Sequence, residues 1–317
     1  LAFSSAHIPG GDMSQEQSTF YEDNTIYKHF KPFFDLGENI FDFANQSIND
    51  LKTCKMDDSL KSHLRRVFTL LFNSSFKTFR SILFLCNKGH GEDAMTLTRT
   101  IFDIYVTLKY IQMNPEDRIY KFMNYNLLEN KFRLDEVKRQ NSKMSLEIKR
   151  LYLEREEEIL ENYNKIKGFY VKEGDNEERA LKKFKSGRWA EINRREMAKK
   201  VGLEDNYNCI FPFTSCFVHP HPLGLSGFYK ESDSESSFRP GASMNGIFLA
   251  LPTAMRYFLF ILREWTDIFG LVKAEEIDTL LNQTTTLENN YLKIVRDVKR
   301  TMKEYNLKFD HDFFDEI

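Results

Sequence analysis

Residues 92–125, EDAMTLTRTIFDIYVTLKYIQMNPEDRIYKFMNY, decide the fold class. Ala94, Leu97, Ile101, Ile104, Tyr105, Leu108 and Ile111 recur at three- and four-residue steps, which lays one apolar stripe along a helix. Arg99 and Asp103 stand four apart in this stretch, so their side chains are expected to meet on one face. Their neighbours are mostly uncharged, which predicts a partly buried pair in which losing either partner strands a charge. After Met113, Asn114-Pro115-Glu116 supplies an N-cap, a proline at the first helical position and an acidic first turn, so a second helix begins there.

Upstream, Asp57-Asp58-Ser59 caps a helix that runs to about Cys86, with Leu64, Val67, Phe68, Leu71, Phe72, Phe79 and Ile82 on its stripe. The short turn Asn87-Lys88-Gly89-His90-Gly91 makes it the antiparallel neighbour of the 92–113 helix. The Phe-rich stretch from Ser18 to Leu51 is punctuated by Pro32 and Gly37, which predicts a short helix and then a longer one from about Asp35. Downstream of Tyr125 the composition turns highly charged, and residues 131–167 read as two solvated helices in an exposed arm. Trp189, Ile192, Met197 and Val201 predict a short helix ending at Gly202, and Pro212 is placed to open another that carries Ser215 and His219. Residues 224–241 read as a mobile loop, followed by helices over 244–269, 274–283 and 287–305. The expected architecture is all-α: an irregular helical bundle whose core pairs the 59–86, 92–113 and 244–269 helices. It forms one domain over 18–317, with 131–185 a projecting charged helical insertion and 1–17 a disordered or cloning-derived leader.

Twenty-nine Phe and fourteen Tyr against two Trp, with 41% hydrophobic residues, point to an aromatic-packed helical core. A net charge of −2 excludes a nucleic-acid field over the whole molecule. Between 181 and 200, however, Lys182, Lys183, Lys185, Arg188, Arg194, Arg195, Lys199 and Lys200 face only Glu191 and Glu196, a local +6. Such a run is commonly a solvated face, and it is also the best anion-binding candidate in the chain. The four scattered cysteines imply no disulfide framework and suit a reducing cytoplasm. Pro252 and Arg256 inside the most apolar run, 244–262, favour a buried helix over a membrane span. No phosphate-binding loop, dinucleotide fingerprint or metalloprotease motif is present, and no cofactor is expected.

Arg99, Asp103, Ser215 and His219 are the candidate catalytic residues. Metal-independent RNA cleavage needs a base near the 2′-hydroxyl and a cation on the phosphate. His219 suits the first and the planar fork of Arg99 the second, with Asp103 orienting either one. Lys182, Lys183, Arg188, Arg194 and Arg195 would hold the RNA backbone. The plainer alternative is a buried polar tie between helices in which the four satisfy one another. Cys209, Cys216, His219 and His221 place four possible zinc ligands within thirteen residues, but no close cysteine pair accompanies the His-Pro-His spacing, so no metal is expected.

Several pieces occur in a recognisable order: Arg99 with an acid four later, Tyr110, Asn114-Pro115-Glu116-Asp117-Arg118, Trp189, Ala198 to Gly202, Tyr207, and Ser215-x-x-x-His219. Over roughly residues 60–270 the chain thereby resembles a bacterial all-helical family known only as a domain of unknown function. Asp103 stands where that pattern has a Glu. A looser resemblance to the HEPN helical ribonucleases implies an RNA-cleaving effector of bacterial defence, although the contiguous Arg–His motif of those enzymes is absent. The competing expectation is a non-catalytic helical interaction or ligand-sensing module. Its charged arm would contact a partner protein or a second copy of the chain, with no membrane involved.

Overall fold

The computed structural model describes residues 25–51, 59–139, 143–185, 188–218, 222, 229–231, 236–238 and 242–305, the side chains of 229–231, 236–238 and 298–305 excepted. Eleven α-helices occur among them: α1 (Thr25–Asn49), α2 (Leu60–Asn87), α3 (Gly91–Gln112), α4 (Pro115–Lys138), α5 (Leu146–Glu154), α6 (Glu156–Ile166), α7 (Glu177–Lys182), α8 (Arg194–Lys200), α9 (Glu204–Val218), α10 (Ile247–Phe269) and α11 (Ala274–Tyr305). The fold is all-α, and α2, α3 and α10 build its centre as the apolar periodicity requires. The α2 stripe Val67, Phe68, Phe72, Phe79 and Ile82 is fully buried, and α10 is apolar almost all round because neighbours cover it on several sides. Trp265 stacks on Phe72 with ring centroids 4.5 Å apart, and Phe258 on Phe79 at 4.7 Å. The Trp265 indole donates to Thr69 Oγ1 at 3.3 Å, so the large ring is buried with its polar edge satisfied. On the other side Tyr291 of α11 stacks on Phe248 and Phe30, and ion pairs Arg256–Glu288 and Arg263–Asp278 bind α11 to α10.

Glycine sets the closest approach in the bundle. A Cβ on Gly91 would lie 1.9 Å from the Asn245 carbonyl oxygen, and Gly246 opposite it has φ +72°, so α3 and α10 begin back to back on two glycines. Ser59 caps α2 by accepting from the Ser62 amide at 3.2 Å.

Three expected breaks are absent. Pro32 lies inside the single helix α1: it removes one backbone bond, but buried Phe30, Phe33, Phe34, Leu36 and Ile40 hold both sides of it to the core. Gly37 is a contact point, its missing Cβ making room for Leu83 Cδ2 at 2.5 Å. The threonine run near 284 does not interrupt α11, because Thr284 and Thr285 donate to the carbonyls of Leu280 and Leu281 within the helix. Pro212 lies inside α9, which starts eight residues earlier than expected. Within the 224–241 stretch, Tyr229–Glu231 pairs antiparallel with Ser236–Phe238, a short ribbon in place of loop alone.

The charged region folds back on α4. Leu128, Tyr163, Ile166, Tyr170, Leu181 and Phe184 form a second small apolar cluster, tied by Tyr170 donating to the Lys121 carbonyl at 2.6 Å and Tyr125 to that of Phe184 at 2.8 Å. Trp189 then returns the chain to the main core, edge-on against Tyr110 and Phe122. No described helix is long and apolar enough to cross a membrane.

Gly91→Ala should lower unfolding stability by about 3 kcal/mol, since the methyl meets backbone and not a yielding side chain. Gly168→Ala, with nothing within 4 Å of the added atom, should stay within about 1 kcal/mol of the parent in the same urea titration.

Candidate functional site

With one face of α3 committed to α2 and α10, the stripe Arg99, Asp103 and Thr107 points to another side, where α8 and α9 pack. These three residues stand at steps of four, and so do Tyr207, Phe211 and Ser215 on α9. Two stripes of the same period therefore face each other. Between them α8 is started by a reciprocal cap, with Asn193 Oδ1 accepting from the Glu196 amide at 2.9 Å and Glu196 Oε2 from the Asn193 amide at 3.1 Å. Gly202, at φ +75°, makes the turn from α8 into α9. This brings Arg194 at the head of α8 against α3.

The expected Arg99–Asp103 pair is not made. Arg99 crosses to α9, donating from Nη1 to Ser215 Oγ at 3.1 Å, with its guanidinium carbon 3.7 Å from the centroid of the Phe211 ring. Phe211 in turn stacks on Tyr207 at 4.5 Å. A flat ring and a hydroxyl acceptor outcompete the carboxylate of the same helix for the planar fork. Arg194 is also held elsewhere: its Nη1 donates to Thr107 Oγ1 at 2.6 Å, and that hydroxyl donates to the Asp103 main-chain oxygen at 2.8 Å.

Asp103 is left between two cations without a hydrogen bond. Its Oδ1 is buried and has no partner. Burial pushes the carboxyl above the usual aspartate range, against the pull of Arg194 and Arg99. The same surroundings raise the Tyr207 phenol, chiefly by burial and next by the Asp103 charge. Three guanidinium groups, Arg99, Arg194 and the more exposed Arg195, thus act electrostatically on one carboxyl–phenol pair. Such a cleft can bind an anion and exchange a proton with it.

Of the residues named from sequence, the structure brings Arg99, Asp103, Ser215 and Arg194 together. His219 lies outside the described residues, directly after Val218, the last residue of α9. Lys182, Lys183, Arg188 and Arg195 are exposed, and Lys183 pairs with Glu191 at 3.3 Å. No group of three or more metal-ligand side chains occurs among the described residues, and the His219 and His221 of the Cys–His set fall outside them. Sequence reasoning missed Thr107 and Phe211. The repeated steps of four on both helices were the signal, concealed on α9 by reading Pro212 as a helix start.

The model of a family described as a family of unknown function, DUF5677, matches residues 65–236. The match runs from α2 through α9 and includes every side chain of the cleft. No curated protein and no solved structure matches the chain.

The raised carboxyl makes a signed prediction. Below the ordinary aspartate value of 3.8 both folded and unfolded chains hold the proton, and Asp103 costs nothing. As pH rises through the higher native value, the folded state is penalised relative to the unfolded one. Asp103→Asn should therefore be more stable than the parent at pH 7, by about 1 kcal/mol, the gain vanishing toward pH 3 in thermal unfolding. A variant less stable at pH 7 would identify a structural tie.

Proposed function

The chain belongs to the family DUF5677, and we propose that its α3–α8–α9 cleft is a metal-independent RNA-cleaving site. The observation that carries this reading is the buried, unpartnered Oδ1 of Asp103 beside two guanidinium groups that are both held elsewhere. An orphaned acceptor of this kind costs about 1–3 kcal/mol, and among the buried unpartnered polar atoms of the described residues, His63 Nδ1, Trp189 Nε1, Arg263 Nε and Asp103 Oδ1, it is the carboxylate oxygen that lies beside two arginines. A hydroxyl from a bound ligand is the donor that completes it.

In this reading Arg99 and Arg194 grip a phosphate with the N–H groups not used on Ser215 and Thr107. Asp103, the group with the raised proton affinity, takes the proton of the adjacent 2′-hydroxyl. That oxygen bonds to phosphorus, the bond from phosphorus to the 5′-oxygen breaks, and the departing oxygen receives a proton from His219. The products are a 2′,3′-cyclic phosphate and a 5′-hydroxyl. Exposed Lys182, Lys183, Arg188 and Arg195 extend the path of the RNA backbone. The setting that suits such an activity is the bacterial cytoplasm, as a defence effector against phage, where Cys86, Cys209 and Cys216 stay free thiols. One observation favours a second reading, a non-catalytic interaction module: α5 leaves Leu146, Ile148, Leu151 and Leu153 exposed.

Purified protein incubated with a mixed RNA pool and a chelator should cleave it. Arg99→Ala, Asp103→Asn and His219→Ala, each shown to be folded by circular dichroism, should lose at least about 100-fold in rate. Arg188→Ala should weaken RNA binding with little sequence dependence and flatten the salt slope by about one unit. An inactive parent, or an Asp103→Asn variant at full rate, would overturn the proposal.

A further inference from the structure

Thr107 does more than fill the α3 stripe. Only 2% of it is exposed, and its hydroxyl works in two directions: it donates to the Asp103 carbonyl oxygen at 2.8 Å and accepts from Arg194 Nη1 at 2.6 Å. Because Thr is branched at Cβ and the first of these bonds fixes its rotamer, the remaining lone pairs face one direction, toward α8. Arg194 also rests against Met197 Sδ, 3.6 Å from the same nitrogen. The Asp103 carboxylate, one turn back on α3, feels the Arg194 charge.

We propose that Thr107 is a positioning residue of the cleft: it holds the Arg194 guanidinium on its hydroxyl and thereby keeps Asp103 Oδ1 out of an ion pair. Ser215 does the corresponding work for Arg99 on the opposite side. Without these restraints a buried carboxylate flanked by two arginines collapses into a bidentate ion pair, the strongest arrangement open to those groups. A collapsed pair holds its carboxylate charged and removes the acceptor that a substrate hydroxyl needs. The charged groups acting on Asp103 are Arg194 from α8 and Arg99 from α3, and Asp103 in turn acts on Tyr207 of α9, which also feels Arg99, Arg195 and Arg194. Freeing Arg194 is therefore felt by Asp103 directly. The inference rests on the catalytic reading of the cleft for its role in turnover, but its structural content is open to measurement without any substrate.

The test is a carboxyl carbon NMR titration of the full chain labelled at aspartate, with the Asp103 signal assigned by its loss in Asp103→Asn. Thr107→Val, which keeps the shape and removes the hydroxyl, should bring the Asp103 midpoint down by about one pH unit or more, and Thr107→Ser should restore the parental midpoint. In Arg194→Gln the midpoint should rise, and adding Thr107→Val to it should change nothing further. If the parent cleaves RNA, the acid limb of its rate profile should move with the midpoint in Thr107→Val. An unchanged midpoint in Thr107→Val, or a serine variant that behaves like the valine one, overturns the inference. An inactive parent with the expected titrations overturns the nuclease reading alone.

Discussion

Two glycines in van der Waals contact, Gly91 and Gly246, set the frame on which the rest of the molecule is hung. Their missing side chains let α3 and α10 start from touching backbones, with the Ser243 amide donating to the Gly89 carbonyl at 2.9 Å across the junction. Starting there, α3 must run along α10, and Phe102 meets Tyr257 edge-on at 4.9 Å. The helical repeat then decides which side chains face away from that contact. Residues 99, 103 and 107 are those side chains, so the close approach at one end of α3 aims the polar stripe at α8 and α9 along the remainder.

What α8 and α9 contribute is restraint. In water, Arg and Asp on one helix face gain a few tenths of a kcal/mol from pairing. Here each arginine finds a better-defined partner on another element, Arg99 a ring and a hydroxyl, Arg194 a hydroxyl anchored in the helix it packs against. The consequence is a carboxyl whose desolvation outweighs the pull of the two arginines, so that it binds its proton more tightly than usual. Stability is given up locally, and the large aromatic core of α2, α10 and α11 supplies what offsets it. That division, an apolar scaffold with an under-satisfied polar cluster on its flank, is what supports the proposal of a site there.

The apolar stripes of α2, α3 and α10 were legible from spacing alone, because burial of one face leaves a period that no other structure shares. Spacing likewise put Arg99 and Asp103 on one helix face, whereas Ser215 was joined to them by the chemistry expected of the set. Their pairing was not, since the rule of four places side chains on one face but is silent about competitors arriving from elsewhere in the chain. Pro32 and Pro212 misled in the same way: a proline costs a helix a hydrogen bond, and whether the helix survives depends on the tertiary contacts around it. For α9 the consequence reached the site, since a helix starting at Pro212 omits Tyr207 and Phe211, the ring pair on which Arg99 rests. The break expected between 283 and 287 is bridged by α11, where the threonine hydroxyls bond back to carbonyls of their own helix.

The proposal stands or falls on Asp103, whose buried and unpartnered Oδ1 is assigned the proton of a ribose hydroxyl between Arg99 and Arg194. Its most direct test is a DNA oligonucleotide carrying one ribonucleotide, incubated with the protein in chelator and followed by phosphorus NMR. The account predicts a single cut on the 3′ side of that ribose, leaving a 2′,3′-cyclic phosphate and a 5′-hydroxyl end. Cutting at deoxyribose positions, a linear phosphate formed without the cyclic species, or no cutting at all would contradict it.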